Sequence, residues 1–361
     1  MNIVIVGYSL GGHGGMETVC KRLVKLIAEN QPETQVKFLF FNEKKDVNEE
    51  WYAGLDAETC SSSIHNTKLR RLHFAYSLSR FLCGKKTDLI IALDTLSCYI
   101  ANVARKWIFG KYPIASWLHF SLYDLYKYNY ILYADAHLVI SNGINRQVQE
   151  LGVDENDVYT IFNPVGRTET NIAVSSGVPV NFIYIGRVIF EGQKRLKDLL
   201  TSLAEVQGDW RLHVVGDGDD MELCRQYSAT LGIGIRVIWH GWQKKPWGYV
   251  SDHIGNLKAL VLTSAFEGLP MTLLEAMAHG IFCVSSDCPT GPADVIDGHN
   301  GRLYKVGDSP QLTAILQELV DGDIVIDQQQ IKGSISKFYD DNYYHSFNQA
   351  IAHILVRYGN K

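Results

Sequence analysis

The chain has 361 residues, of which 46% are hydrophobic and 20% charged, and its 34 Lys and Arg against 39 Asp and Glu give a formal net charge of −5. This length predicts two domains, the composition excludes a disordered chain, and the acidic excess argues against nucleic-acid binding through a broadly basic surface. The seven cysteines include no C-x-x-C pair, which favours a reducing compartment. Because the first residues lack a basic leader and no apolar segment is long enough to span a bilayer, we expect a cytoplasmic protein.

The first half of the chain alternates short Val-, Ile- and Phe-rich segments with amphipathic ones, which is typical of parallel sheets covered by helices. A first strand is predicted at 2–6, and a glycine-rich turn and a helix over 16–29 follow it. Further strands are predicted at 36–41, 88–93, 114–117, 138–140 and 158–161. These elements predict a first Rossmann-like domain, to which we assign residues 1–165.

The same pattern begins again after a polar stretch at 166–177 that resembles a linker. Strands are predicted at 181–185, 211–215, 236–239, 259–263 and 281–285, with helices at 194–206 and 270–279. We assign 178–335 to a second Rossmann-like domain and 336–361 to a C-terminal helix that packs back toward the first. The predicted fold is therefore α/β, with two doubly wound domains facing across a cleft and ligands bound beyond the carboxyl ends of the strands.

A glycine-rich loop at 11–15 separates the first strand from the first helix. Its glycines, Gly14 and Gly15 among them, let backbone N–H groups approach an anion at the start of the helix. A dinucleotide fingerprint needs a further glycine where Glu17 stands, so a nicotinamide-dependent oxidoreductase remains the weaker alternative. The other alternative is that this loop is only a tight turn required by the chain topology.

The segment 265–275 runs from a strand through a loop into a helix that Pro270 is predicted to begin. The first free N–H groups of that helix and its dipole suit a phosphate, and carboxylates beside them can accept hydrogen bonds from sugar hydroxyls. The candidate residues are Glu267, Met271, Thr272, Leu273 and Glu275. The alternative is that the two acids only complement the helix dipole.

Two further strand ends carry candidates. Arg187 follows the first strand of the second domain and Lys194 opens the next helix, so the two cations could hold a pyrophosphate, unless both are ordinary solvated surface charges. His119 follows a strand of the first domain and could contact a sugar hydroxyl, although a lone histidine is more often structural. Asp217 and Asp219 form a D-x-D, but the glycines around them favour a turn over a metal site.

Together these residues resemble the retaining glycosyltransferases of family 4, which have the two-domain GT-B fold. The spacing of Glu267 and Glu275 meets the E-x7-E signature of that family. The resemblance extends to bacterial lipopolysaccharide core 1,6-galactosyltransferases through the segments FEGQKRLKDLL, LTSAFEGLPMTLLEAMAHGI, SSDCPTGPADVI, RVIWHGWQKKPW and SWLHFSL. It covers nearly the whole chain and is more specific in the second domain.

The resemblance implies a role for each candidate. Glu267 would contact the donor sugar and Glu275 the ribose, while Arg187 and Lys194 would hold the diphosphate. Gly14 and Gly15 would approach the donor phosphate, and His119 would lie beside the transferred sugar. The base would lie near Trp242 and Gln243. Many members have four residues between the Arg and the Lys where this chain has six, which leaves Arg195 as an alternative to Lys194.

The implied reaction is transfer of a hexose, galactose from UDP-galactose, onto a lipopolysaccharide core sugar with retention of configuration. No cofactor and no metal are expected. One alternative is a related transferase that uses UDP-glucose or UDP-N-acetylglucosamine on another envelope glycan. Another is a catalytically silent protein that only binds a nucleotide sugar.

Basic residues are concentrated between 65 and 111, where nine Lys and Arg stand against two Asp. Such a surface suits an anionic lipid or a phosphorylated saccharide, and we therefore expect the enzyme to be peripheral to the inner membrane. The alternative is a set of solvated helix faces. The residues assigned to this acceptor or membrane patch are Lys68, Arg70, Arg71, Lys85 and Lys86.

Overall fold

The computed structural model describes residues 1–9, 15–43 and 52–359, which form two compact units. The first unit contains Met1–Pro164 together with Asp340–Lys361, and the second contains Val165–Tyr339. Each unit has a parallel sheet flanked by helices, so the expected α/β architecture of two Rossmann-like domains is confirmed.

The described residues of the first unit form a seven-stranded parallel sheet in the order β3-β2-β1-β4-β5-β6-β7. Its strands are β1 Asn2–Tyr8, β2 Gln35–Asn42, β3 Ala57–Ser61, β4 Leu89–Ala92, β5 Ile114–Leu118, β6 Ala136–Val139 and β7 Val158–Thr160. Its helices are α1 Gly15–Asn30, α2 Thr67–Leu82, α3 Thr95–Trp107, α4 Asn142–Glu150 and α12 Asp340–Tyr358. The central strands are buried on both faces, which explains their continuous apolar sequences.

Helix α12 belongs to the first unit although the whole second unit separates it along the chain. Arg22 of α1 forms two hydrogen bonds with the Asp340 carboxylate at the start of α12. Near the middle of α12, Asn348 accepts a hydrogen bond from Gln31 at 2.9 Å. Between these polar contacts, Phe347 is buried with the other apolar residues of its face. Helix α12 therefore completes the core of the first unit.

The second unit contains a six-stranded parallel sheet in the order β11-β10-β9-β13-β14-β15 and a two-stranded sheet of β8 and β12. Its strands are β8 Ala173–Val174, β9 Val180–Ile185, β10 Trp210–Val215, β11 Val237–Gly241, β12 Asn256–Leu257, β13 Ala259–Leu262, β14 Phe282–Ser286 and β15 Gly301–Tyr304. Its helices are α5 Leu196–Glu205, α6 Met221–Thr230, α7 Pro246–His253, α8 Met271–Ala278, α9 Pro292–Val295, α10 Ser309–Asp321 and α11 Gln328–Ser334. Since β8 pairs with β12, part of the stretch that resembles a linker is a strand of this unit.

Two glycines let the loops after β9 and β10 approach closely. A Cβ added at Gly216 would lie 1.8 Å from the carbonyl oxygen of Gly186, and one at Gly218 would lie 2.2 Å from that of Val188. Backbone therefore packs on backbone at this edge of the sheet. No helix in the described part of the chain has the length and apolar character needed to cross a membrane.

Candidate active site

The carboxyl ends of β9 and β13 bring together two of the predicted residues of the second unit. The Lys194 ammonium lies 2.6 Å from Oε1 of Glu267, and the two side chains are only 15% and 10% exposed. Arg187 and Lys194 both lie in the loop after β9. Arg187 donates a hydrogen bond to the side-chain oxygen of Gln193 at 2.8 Å. A cation and a carboxylate therefore stand side by side where an α/β sheet binds its ligands.

Backbone contacts fix the loop that carries Lys194 against the loop that carries Glu267. The Gln193 carbonyl accepts a hydrogen bond from the Ala265 N–H at 2.8 Å. One residue later, the Lys194 carbonyl accepts a hydrogen bond from the Thr263 hydroxyl at 2.7 Å. The pairing of Lys194 with Glu267 thus follows from the register of the two loops.

The Glu267 carboxylate is held in one orientation. Its Oε1 accepts hydrogen bonds from both Lys194 and the Ser264 hydroxyl, each at 2.6 Å, and its carbonyl accepts one from the Thr290 hydroxyl. Ser264 is itself fixed, since its carbonyl accepts a hydrogen bond from Ser286 at 2.5 Å. Within the described residues Oε2 of Glu267 has no hydrogen bond, so this oxygen can accept one from a ligand hydroxyl.

The start of α8 differs from the prediction by one residue. Pro270 has an extended backbone and precedes the helix, which begins at Met271. The Leu273 N–H, predicted to be free for a phosphate, instead donates to the Pro270 carbonyl at 3.1 Å, and the Leu273 side chain is buried. A first-turn bond of this kind leaves Met271 and Thr272 as the remaining candidate donors of the helix start.

Glu275 has a partner that the sequence analysis missed. Trp247, in the first turn of α7, donates its indole N–H to Oε2 of Glu275 at 2.9 Å. The indole ring also stacks on His279, with ring centroids 5.2 Å apart. The only signal in the sequence was the position of Trp247 in the segment RVIWHGWQKKPW, a few residues beyond the predicted base-binding residues Trp242 and Gln243.

Trp242 and Gln243 follow β11 as predicted for residues near a base. Trp242 has 60% of its surface exposed. Gln243 turns back and donates to the His240 carbonyl at 3.0 Å, which closes the turn after the strand. Arg195, the alternative to Lys194, forms two hydrogen bonds of 2.7 and 3.3 Å with Asp198. Arg195 and Lys194 therefore each have a carboxylate partner.

His119 directly follows β5 in the first unit and is only 6% exposed. Its Nε2 is buried without a hydrogen-bond partner among the described residues, and burial lowers the pKa of His119 to about 3. The imidazole is therefore neutral at pH 7, with one ring nitrogen that lacks a partner. Gly15 begins α1, whereas Gly14 lies outside the described residues.

The structure does not bring the five predicted patch residues together. Lys68, Arg70 and Arg71 lie in the first turns of α2, whereas Lys85 and Lys86 come after its last residue, so about 17 Å of helix separates the two groups. The Arg70 guanidinium also forms an ion pair with the Glu43 carboxylate at 2.8 Å, and the Arg70 side chain is only 15% exposed. The predicted single patch is thus two separate groups.

Asp217 occupies a turn, where its own carboxylate accepts the Gly218 N–H at 2.8 Å. Across the described ranges, no group of three or more His, Cys, Asp or Glu side chains has the geometry to hold a metal ion. The expectation of metal-independent chemistry stays a prediction.

Comparisons with known proteins identify the family to which this chain belongs. A family model described as glycosyl transferases group 1 matches residues 179–322. A lipopolysaccharide 1,6-galactosyltransferase of Salmonella typhimurium is 41% identical over 353 residues, which are 97% of this chain and 98% of that protein. A solved structure of the lipopolysaccharide outer core galactosyltransferase WaaB in its apo form matches with a TM-score of 0.93 at 41% identity, over 98% of this chain and 99% of that one.

A more distant solved structure, Anabaena Alr3699/HepE in complex with UDP-glucose, has the same fold, with a TM-score of 0.72 at 16% identity over 98% of this chain and 99% of that one. Because a relative 41% identical extends over nearly the whole chain, the family is established and not only the fold. The chain therefore belongs to the group 1 glycosyltransferases, and its two Rossmann-like units are those of the GT-B fold.

Proposed function

We propose that this enzyme transfers galactose from UDP-galactose onto a sugar of the lipopolysaccharide core, with retention of configuration. The observation that carries the proposal is the buried Lys194–Glu267 pair, in which one carboxylate oxygen is saturated and the other is open to a ligand hydroxyl. The names of the relatives that are 41% identical support galactose as the sugar and the lipopolysaccharide core as the acceptor.

In the proposed reaction, Arg187 and Lys194 neutralise the negative charge that grows on the departing diphosphate. The N–H groups of Met271 and Thr272 and the dipole of α8 add to this stabilisation without a metal. Charges that are already in place need no reorganisation when the bond breaks. Lys194 would then contact both the diphosphate and Glu267, which links the leaving group to the residue that holds the sugar.

The sugar and the nucleoside use different residues in this proposal. Oε2 of Glu267 accepts a hydrogen bond from a hydroxyl of the donor sugar, and Nε2 of His119 contacts another hydroxyl. Glu275 accepts hydrogen bonds from the ribose, and the turn with Trp242 and Gln243 contacts the uracil.

In this proposal both oxygens of Glu267 are engaged, Oε1 by Lys194 and Ser264 and Oε2 by a sugar hydroxyl, so Glu267 is not the nucleophile. We therefore propose substitution on one face of the sugar. The bond from C1 to the phosphate oxygen breaks and a bond from C1 to the acceptor oxygen forms on the same face. The acceptor proton passes to the departing phosphate, so atoms and charges balance.

A donor screen tests this function. The protein is incubated with truncated lipopolysaccharide acceptors and with UDP-galactose, UDP-glucose or UDP-N-acetylglucosamine. We expect transfer of galactose with an α-linkage, detected by mass spectrometry and NMR. Transfer from another donor would replace galactose by that sugar, and UDP binding without any transfer would favour a silent nucleotide-sugar binding protein.

We also propose that the enzyme works at the cytoplasmic face of the inner membrane, through α2. This helix exposes Leu69, Leu72 and Tyr76, which are spaced as one apolar stripe, and it has cations at both ends. A surface of this kind suits an anionic bilayer, where each basic residue contributes about 1 kcal/mol.

Vesicle sedimentation tests the membrane proposal. We expect binding to anionic vesicles at low salt, release at high salt and no binding to zwitterionic vesicles. The variant Lys68→Glu with Lys85→Glu and Lys86→Glu should bind less, and it leaves the Arg70–Glu43 pair intact. Equal binding to neutral vesicles would show that α2 is only a solvated surface.

A further inference from the structure

Trp247 is held from two sides by residues of α8. Its indole N–H donates to Glu275 at 2.9 Å, and its ring stacks on His279 with an angle of 29° between the planes. Glu275 lies in the second turn of α8 and His279 at its C-terminal end, one turn apart. The indole therefore spans one turn of the neighbouring helix and has a defined place beside the carboxylate.

The ring on which Trp247 stacks is itself fixed. Nδ1 of His279 lies 3.1 Å from the Thr170 carbonyl, and the His279 carbonyl accepts the Ile172 N–H at 3.2 Å. Burial lowers the pKa of His279, so the imidazole is neutral at pH 7 and its Nδ1–H donates to the carbonyl. Trp247 thus stacks on a neutral, anchored ring rather than on a mobile cation.

An indole N–H orients a carboxylate in a way that a lysine does not. The last bond of a glutamate side chain rotates over a broad range, so one fixed donor is enough to set the plane of the carboxylate. The indole N–H only donates and carries no charge. The Trp247 indole therefore holds one oxygen of Glu275 without adding a charge beside it, whereas Glu267 is held by the charged Lys194. A charged carboxylate of this kind binds best to paired hydroxyl donors.

We propose that Trp247 is a positioning residue that turns the Glu275 carboxylate toward the ribose hydroxyls and thereby makes the site prefer ribonucleotides to deoxyribonucleotides. This rests on the proposed function, in which Glu275 binds the ribose of UDP. Without the indole N–H, the Glu275 carboxylate loses a donor that sets its orientation, and its bond to the 2′-hydroxyl weakens. A 2′-deoxynucleotide lacks that hydroxyl and loses little.

Calorimetric titrations with UDP and with 2′-deoxy-UDP test the proposal. We expect the wild-type protein to bind UDP roughly 10- to 100-fold more tightly, the range for a hydrogen bond to a charged group. Trp247→Phe keeps a ring for His279 and removes the N–H. In this variant the preference should fall to about threefold or less, through weaker UDP binding. Glu275→Gln should lower the preference too, and the double variant should add little to either single change.

Trp107→Phe, in α3 of the first unit, is the matched control and should leave both affinities unchanged. A merely structural role for Trp247 would weaken UDP and 2′-deoxy-UDP by the same factor. That result, or an unchanged preference in Trp247→Phe while Glu275→Gln loses it, overturns the proposal and leaves the proposed function standing. Failure of the wild-type protein to bind UDP, or unchanged UDP binding in Glu275→Gln, overturns the proposed function instead.

Discussion

The Lys194 ammonium is held in place by contacts within the protein. It lies against a carboxylate that Ser264 holds through the same oxygen, and the side chains of Lys194 and Glu267 are both largely buried. An ordered cation can stabilise a leaving group without first losing side-chain freedom. In the proposed reaction, the ion pair with Glu267 would therefore keep this cation ordered.

Removing either cation should slow the chemical step. We expect Lys194→Met and Arg187→Met each to lower kcat by roughly 100-fold, as for other preorganised stabilisers of developing charge. Lys197→Met is the matched control, because Lys197 is 40% exposed and its ammonium pairs with the exposed Glu191. Steady-state rates with UDP-galactose measure the effect, and EDTA should have little influence. Near-normal rates in both variants, with EDTA inhibition reversed by Mn²⁺, would instead point to a metal mechanism through Asp217.

A buried histidine of the first unit should make stability depend on pH. His137 in β6 is 2% exposed, its Nδ1 lies 2.8 Å from the Ser116 hydroxyl, and burial lowers its pKa from 6.5 to about 4. Because the unfolded chain binds this proton more readily, the stabilisation is fully present above pH 6.5 and is lost as the pH falls toward 4.

The variant His137→Gln isolates this contribution and keeps a polar partner for Ser116. Between about pH 7.5 and about pH 5, the wild-type first unit should lose ~2 kcal/mol more unfolding free energy than the variant. Hydrogen exchange of the β5 and β6 amides measures the difference. Equal pH dependence in the two proteins would contradict the assignment to His137.

Local motifs predict some residues of the site and miss others for a physical reason. Glu267 and Glu275 are recognisable because one short segment carries both. Trp247 reaches Glu275 because the fold brings the first turn of α7 beside α8, and no periodicity within either helix encodes that contact. The separation of Lys68 from Lys86 was missed because a charge count ignores the length of the helix between them.

Among the elements, the loop between β14 and α9 supports the loop that carries Glu267. Gly291 has a φ of +96°, and a Cβ added there would lie 2.7 Å from Pro270 Cδ and 2.8 Å from the Gly268 carbonyl oxygen. Thr290 donates to the Glu267 carbonyl from the same loop. The geometry of Glu267 therefore depends on close packing between two loops that are distant in sequence.

Gly291→Ala should displace the loop before α8 and lower activity at least tenfold, besides destabilising the second unit by about 1–3 kcal/mol. Gly298→Ala is the matched control, because it introduces backbone strain without a steric clash. Gly298 has a φ of +86°, and no atom lies within 4 Å of an added Cβ. The control should lose stability and keep its kcat. Thermal unfolding and steady-state kinetics of the two variants provide the comparison, and equal loss of activity in both would argue against the packing explanation.

Strong apolar strands were predictable, and weak edge strands were not. Strands β4 and β13 and the centre of β1 consist of buried Ile, Val, Leu and Ala, so their sequences alone identify them. Strand β3, with the sequence AETCS, lies at the edge of its sheet and has no apolar alternation, and it exists because β2 offers it a partner. The two-residue β8 is defined in the same way by β12.

For the whole molecule, repetition of the strand and helix pattern predicted two Rossmann-like units, and the comparisons confirm a GT-B glycosyltransferase. Which helices complete each unit depends on contacts over more than 300 residues, such as that of Arg22 with Asp340. A sequence pattern gives the apolar face of α12 but not the helix against which that face packs.

Substitutions in α12 should affect the first unit. Phe347 is 2% exposed, so Phe347→Ala should destabilise that unit by about 3–5 kcal/mol. Val356 is 82% exposed, and Val356→Ala should change stability by less than about 0.5 kcal/mol. Hydrogen exchange resolved by peptide shows where the loss falls. Loss confined to residues 165–339 in the Phe347 variant would contradict the role of α12.

The split arrangement of the first unit has a consequence for the order of events on the ribosome. The face of α1 that meets α12 is made near the beginning of synthesis, and the whole second unit is made before α12 emerges. At roughly 5–20 residues per second, that interval lasts about 10–35 seconds. During this time the nascent first unit exposes the apolar side chains that α12 later covers. Slow translation of the second unit should therefore lengthen the time for which the first unit depends on chaperones.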